Sequence, residues 1–263
     1  MIITVGALKG GCGKTSTAFN LAVMSAKLGQ SVLVCDADTN ENLYSLSLLR
    51  EIAKGDPGFS VVQLFGRDIR RQLQRQSEKW DLIIIDAGKE GRDTSSLKAA
   101  LSVSDILLTP VTPRSLDVML LKDLYNEHIE EAKEDHGNSG LKCCTFLSKA
   151  DTEGGSENRE TIAFLESDTL PGSHYINAPM FERKPVVKAQ SQGLVITEYE
   201  NKSQASSIEK GRAELINLAS AVLTNEHSPP NLKDFRRVSQ SELLRISKSS
   251  NPITELTKLL EVN

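Results

Sequence analysis

Apolar and polar positions along the chain follow two rhythms. Runs of consecutive apolar, largely β-branched residues recur at 2–8, 31–35, 59–64, 81–85, 105–109 and 141–147. Between most of them lie longer stretches in which apolar residues return every three or four positions: 14–28, 42–53, 67–76, 95–103, 115–134 and 203–223. The first rhythm predicts strands buried on both faces, and the second predicts amphipathic helices. Strand and helix in alternation predict an α/β fold: a mostly parallel twisted sheet with helices on both faces. Past residue 223 the rhythm lapses. His227-Ser228-Pro229-Pro230-Asn231 reads as a linker, followed by two short predicted helices at 239–247 and 252–260. The expected organisation is one domain over 1–225 and an extension over 226–263.

Composition narrows the class. The 263 residues are 39% hydrophobic and 25% charged, a globular balance, and no apolar run nears the ~18 residues of a membrane span. Met1 leads straight into Ile2-Ile3-Thr4-Val5, so no secretory signal is expected. Cys12, Cys35, Cys143 and Cys144 lack the spacing of a zinc site or a disulfide framework, which fits a reducing cytoplasm. The formal charge is −4, but it is uneven. Residues 227–263 carry +2 and the rest −6, while 183–212 holds six Lys and Arg against three Glu. A local basic face is therefore compatible with an acidic whole.

The strongest chemical signal follows the first strand: Lys9-Gly10-Gly11-Cys12-Gly13-Lys14-Thr15-Ser16, then a predicted helix. Glycines let backbone N–H groups approach an anion closely, and the helix N-terminus adds partial positive charge. Such a strand–loop–helix holds nucleotide phosphates. Gly10, Gly11, Cys12, Gly13, Lys14, Thr15 and Ser16 are the expected cradle, with Lys14 on the β and γ phosphates and the Thr15 hydroxyl on Mg²⁺. Two further strands end in acids. Asp36 and Asp38 close the second, and Asp86 closes the apolar run Leu82-Ile83-Ile84-Ile85. Carboxylates at the carboxyl ends of parallel strands face the ligand crevice.

The loop departs from the usual phosphate-loop spelling. Leu8 stands where the first glycine falls, and a second lysine, Lys9, precedes the glycine pair. This form resembles the deviant Walker A motif of the ParA/MinD family of P-loop ATPases, closest to small plasmid-partition ParA-like proteins. The resemblance spans about residues 1–225. It rests also on the Asp36-x-Asp38 pair, the strand ending in Asp86, and Pro110-Val111-Thr112-Pro113-Arg114-Ser115-Leu116-Asp117. It implies ATP and Mg²⁺ sandwiched in a homodimer, with Lys9 reaching across to the partner's phosphates as a cation supplied in trans. It further implies Asp36 and Asp86 in the Mg²⁺ shell, Asp38 orienting the attacking water, and Asp117 in the first turn of a helix at the dimer face. Thr39 and Asn40 replace the family's usual Pro-Gln. Ala87-Gly88-Lys89-Glu90-Gly91 replaces its Pro-containing switch.

Ser148-Lys149-Ala150-Asp151 resembles the [NT]KxD element that reads guanine, one residue out of spelling. In the ParA-like family the same strand end, here Ser148 and Lys149, belongs to an adenine pocket. The reading favours ATP, because the Lys9 loop is the longer match. The segment 183–212 resembles the late basic region that binds DNA nonspecifically on the assembled dimer. A partner or adaptor protein stimulating slow hydrolysis is expected, in plasmid or chromosome partition. Membrane binding is not expected, since the last predicted helix is short and carries only Lys258. Two alternatives are a ParA-like protein positioning a conjugation or other protein assembly, and a same-fold nucleotide-dependent ligase or transferase.

Overall fold

A computed structural model of the chain describes residues 1–88, 94–134 and 137–223. The predicted tail helices and most of the segment read as a switch lie outside the described residues. The elements run β1 (Ile2–Ala7), α1 (Lys14–Lys27), β2 (Val32–Asp36), α2 (Asn42–Lys54), β3 (Ser60–Gln63), α3 (Asp68–Gln76), β4 (Leu82–Gly88), α4 (Ser95–Leu101) and β5 (Ile106–Val111). They continue with α5 (Ser115–Asp123), α6 (Glu130–Glu134), β6 (Lys142–Ala150), α7 (Ser156–Leu165), β7 (Ser173–Tyr175), β8 (Met180–Phe181), α8 (Lys184–Gln190) and α9 (Ala205–Val222).

Seven strands form a sheet in the order β3-β2-β4-β1-β5-β6-β7, and β8 pairs with β6. Every pairing is parallel. The strands are apolar throughout because each face meets a layer of helices. In β4, Leu82 and Ile84 join one core with Ile3, Val5 and Phe19. Ile83 and Ile85 join the other with Leu33, Ile69 and Leu97. This alternation of cores, rather than of core and solvent, is the reason for the unbroken apolar runs.

Three readings need correction. The helix expected over 115–134 is interrupted: α5 and α6 are joined by a π-helical stretch, Leu124–Ile129. The fifth strand outruns the expected 105–109, passing through Pro110 to Val111. Beyond Leu108 that strand has no partner in β1 and pairs only with β6, so a residue without an N–H is tolerated there. Four elements went unread, namely α7, β7, β8 and α8. Of these, β7, β8 and α8 are short, spanning three, two and seven residues.

Because the strands run the same way, their carboxyl ends share one edge. β1 is central there, flanked by β4 and β5, and the loop leaving it stands over the middle of the sheet. The order in which strands are added reverses here, with β2 and β3 on one side of β1 and β5, β6 and β7 on the other, which is where open α/β sheets form a ligand crevice.

Candidate functional site

The loop between β1 and α1 owes its shape to glycine. Gly11 and Gly13 sit at φ 78° and 102°, where L side chains are strained. A Cβ on Gly13 would lie 2.8 Å from Ser148 Oγ. That hydroxyl is buried and donates to the Cys12 carbonyl at 2.8 Å. Ser148 thus pins the phosphate loop to the end of β6. Gly13 gives α1 no side-chain cap, and no acid stands in the helix's first turn. The leading amides of α1 are thus left for an anion.

Lys14 is largely buried. Its Nζ donates to the Lys9 carbonyl at 2.9 Å, and the Cys12 thiol, pushed up by burial, donates to the same oxygen at 3.4 Å. The Lys14 stem crosses β4 at Gly88, where a Cβ would come within 2.7 Å of Cε. Gly88 therefore makes room for the phosphate lysine. The Lys9 ammonium folds back onto Asp117 of its own chain. The other Asp117 oxygen accepts from the hydroxyl and the backbone N–H of Thr112.

The acids differ in their partners. Asp36 and Asp86 are register neighbours on β2 and β4, and both are fully buried. Asp36 accepts from the Asp38 N–H at 3.2 Å and the Tyr44 N–H at 2.8 Å, so it tethers the start of α2. Burial raises its carboxyl above the ordinary range, and these bonds work against the rise. Neither oxygen of Asp86 has a well-formed hydrogen bond. Burial pushes that carboxyl up to about 7, against the pull of the Thr15 hydroxyl and Lys14 and with repulsion from Asp36 and Asp38. A buried carboxylate without a well-formed hydrogen bond is a place for a cation. Among the described residues no three His, Cys, Asp or Glu converge as a metal site. The hard oxygens of Asp86 and Thr15 fit Mg²⁺ arriving with phosphates and water, the usual way that ion is held. Asp38 is half-buried, and its Oδ1 accepts from the N–H and amide of Asn40 at 2.9 and 2.7 Å.

The phosphate loop and Asp38 open onto a cleft of about 540 Å³, lined by Gly10, Gly11, Gly13, Lys14, Thr15, Ser16, Asp38, Lys149 and residues of α2. A larger hollow of about 680 Å³ beside β7 and the end of α9 has neither the loop nor the acid pair. Lys149 is exposed at φ 51°, a left-handed backbone at the mouth of the cleft. Asp151 is committed to its own turn. Its backbone exchanges bonds of 3.1 and 2.9 Å with the Asn158 amide, and its carboxylate accepts from the Glu153 N–H at 3.0 Å. Gln190, at the end of α8, lines the cleft and accepts from the Ser16 hydroxyl at 2.8 Å. Motif reading missed it, since nothing local marks a glutamine 174 positions from its partner.

The basic segment separates into two groups. Arg183 is held by Glu214 at 2.6 Å. Arg212 donates to the Tyr199 carbonyl at 2.8 Å and to the Glu200 carboxylate. Lys184, Lys188, Lys202 and Lys210 are exposed. No helix among the described residues is long and apolar enough to cross a membrane.

A parallel sheet with a glycine-rich loop after its central strand, a lysine along that loop and acids closing the neighbouring strands defines a phosphate-loop nucleotide-binding protein. Residues 3–234 match the CobQ/CobB/MinD/ParA nucleotide binding domain, and the chain belongs to that family. It is 25% identical over 237 residues to an uncharacterised ATP-binding protein of Methanocaldococcus jannaschii, covering 78% of this chain and 84% of the relative. Apo McdA of Cyanothece superposes with a TM-score of 0.63 at 19% identity, over 81% of this chain and 98% of that one. The septum site-determining protein MinD of Pyrococcus horikoshii, solved with Mg-ADP, superposes with a TM-score of 0.59 at 18% identity, over 84% and 95%.

Proposed function

We propose that the chain is a ParA-like ATPase that binds ATP and Mg²⁺, dimerises around them, holds DNA nonspecifically and releases it after slow, partner-stimulated hydrolysis, in plasmid or chromosome partition. Residues 1–225 form the ATPase domain and 226–263 an extension, and the protein works in the cytoplasm. The observation that carries the ATP and Mg²⁺ part is Asp86: a buried carboxylate with no well-formed hydrogen bond, between a phosphate cradle and a second acid. The turn made by Asp151 supports ATP over GTP, because the residue that would read guanine is not aimed at the cleft lining.

Mg²⁺ would be held by Thr15 and Asp86, with Asp36 behind them, and supplies charge neutralisation at the phosphates. The chain's own groups do the rest. Loop amides and Lys14 hold the phosphates in place and stabilise charge on the transferring group. Asp38 stands at the cleft to orient a water in line with the γ-phosphorus. The water's oxygen bonds to phosphorus as the bond to the ADP oxygen breaks, giving ADP and phosphate.

The exposed lysines on α8 and α9 support DNA binding through phosphates. The test is gel-shift or anisotropy binding of nonspecific duplex with ATP, ADP and no nucleotide. Binding with ATP that falls steeply with salt is expected, and replacing Lys184 and Lys188 with Ala makes the salt slope shallower by roughly 2. Equal or absent binding in all three states would sink the DNA reading. The exposed stripe Tyr44, Leu48 and Ile52 on α2 favours a second reading, positioning of a protein assembly. In that case ATP-dependent dimerisation is kept and DNA binding is missing.

A further inference from the structure

We propose that Asp117 is a cis latch: it holds Lys9 inside its own protomer until a nucleotide-bound second copy draws the lysine out. The inference rests on the ATP-dimer reading and adds the contact that restrains it. Lys9 is not at large on the surface. Its side chain is 24% exposed and that of Asp117 only 4%. Leu8, Cys12, Pro110 and Leu121 wall the narrow space around the pair, which has room for about 20 Å³. Asp117 is aimed by Thr112 from its other side, and Arg114 fixes the turn that presents it through the bond from the Asp117 N–H at 2.9 Å.

The latch acts on the phosphate loop itself. The carbonyl of Lys9 receives Lys14, and the ammonium of Lys9 is tied to α5. One residue therefore joins the cis phosphate lysine to the helix at the candidate dimer face. Leu116 and Met119, 57% and 64% exposed, flank Asp117 on that helix. Drawing Lys9 away leaves a buried carboxylate with Thr112 alone, an unfavourable state. That cost opposes dimerisation, and the phosphate charge of a partner must exceed it.

The experiment uses the full chain. Dimer fraction is followed by light scattering against ATP concentration for wild type, Asp117→Asn, Thr112→Val and Asp117→Glu. Asp117→Asn should dimerise at roughly tenfold lower ATP, Thr112→Val should shift the same way by less, and Asp117→Glu should restore wild-type behaviour. The gain should vanish in Lys9→Ala/Asp117→Asn. An unchanged or raised ATP requirement in Asp117→Asn overturns the latch. If wild type itself fails to dimerise with ATP, the sandwich reading fails, and the cis contact is judged separately by amine labelling of the nucleotide-free protein. There Lys9 should react more slowly than Lys184 and Lys188, and faster once Thr112 is Val. Equal labelling of Lys9 and the two surface lysines in wild type overturns the pair, and this readout stands even if Asp117→Asn does not fold.

Discussion

Glu198 and Asp86 are both carboxylates removed from water, and their surroundings treat them in opposite ways. Glu198 receives Arg50 through two bonds of 2.8 and 3.1 Å, Lys27 at 2.8 Å and the Val195 N–H at 3.1 Å. Burial alone would raise it, but Arg50 and Lys27 outweigh burial and hold it at about 2. Arg50 also donates to the carbonyls of Pro57 and Gly193, and a Cβ on Gly193 would meet the Arg50 backbone at 2.4 Å. That cluster is complete, and it fastens α1, α2 and the turn after α8 together. Asp86 has no such partners and sits at about 7. A folded chain that satisfies one buried acid so fully and leaves another bare marks the bare one as the place where something else binds.

The contrast breaks most readily at the complete end. Replacing Arg50 with Ala strands Glu198 and should lower stability by about 3–5 kcal/mol, read by urea unfolding near neutral pH. Because Glu198 is depressed, its contribution is full above its unfolded pKa and lost as pH falls toward 2, so the variant should also lose part of the wild type's acid sensitivity. A change below about 1 kcal/mol would mean the cluster is ornamental.

At the bare end the sign reverses. Asp86 has a raised carboxyl, so in the range between its unfolded value and about 7 the folded state holds a proton that the unfolded state has released. Its effect is to make the nucleotide-free protein less stable as pH rises through that window. Asp86→Asn should remove this slope and gain on the order of 2 kcal/mol at pH 8. It should also weaken Mg²⁺-dependent nucleotide binding about tenfold or more by calorimetry. Loss of stability at pH 8 with nucleotide binding intact would refute the assignment. The smallest effect is expected at Ser148→Ala, about 1 kcal/mol from the bond to Cys12. Weaker ADP binding should accompany it, since the loop loses its tether, and an unaltered ADP affinity would confine Ser148 to packing.

The two regions also differ in how far sequence reveals them. The loop, the Asp36–Asp38 pair and Asp86 are legible because each is local: a few neighbouring residues at the end of one apolar run. β1, β2 and β4 are legible because burial on both faces keeps them almost wholly apolar, with Thr4 the one polar residue inside β1. The complete cluster is invisible in one dimension, since Arg50 and Glu198 lie 148 positions apart and neither stands in a motif. The cis contact of Lys9 with Asp117, 108 positions away, is hidden for the same reason, though both residues are marked by their own motifs. Ser148 shows a further limit: its hydroxyl bonds to the Cys12 carbonyl of the loop, a matter of orientation that spacing does not encode.

The parallel pairing of β1 between β4 and β5 has a kinetic consequence. Amides of Val5 and Ile84 lie in a fully buried ladder at the centre of the sheet, where exchange with deuterium requires opening of the whole domain. A few residues on, Gly10 and Gly11 face open space and their amides exchange through local motion alone. A single peptide spanning residues 2–13 would therefore record both slow and fast hydrogens. Ligand capture would appear in its mass spectrum as the fast population joining the slow one.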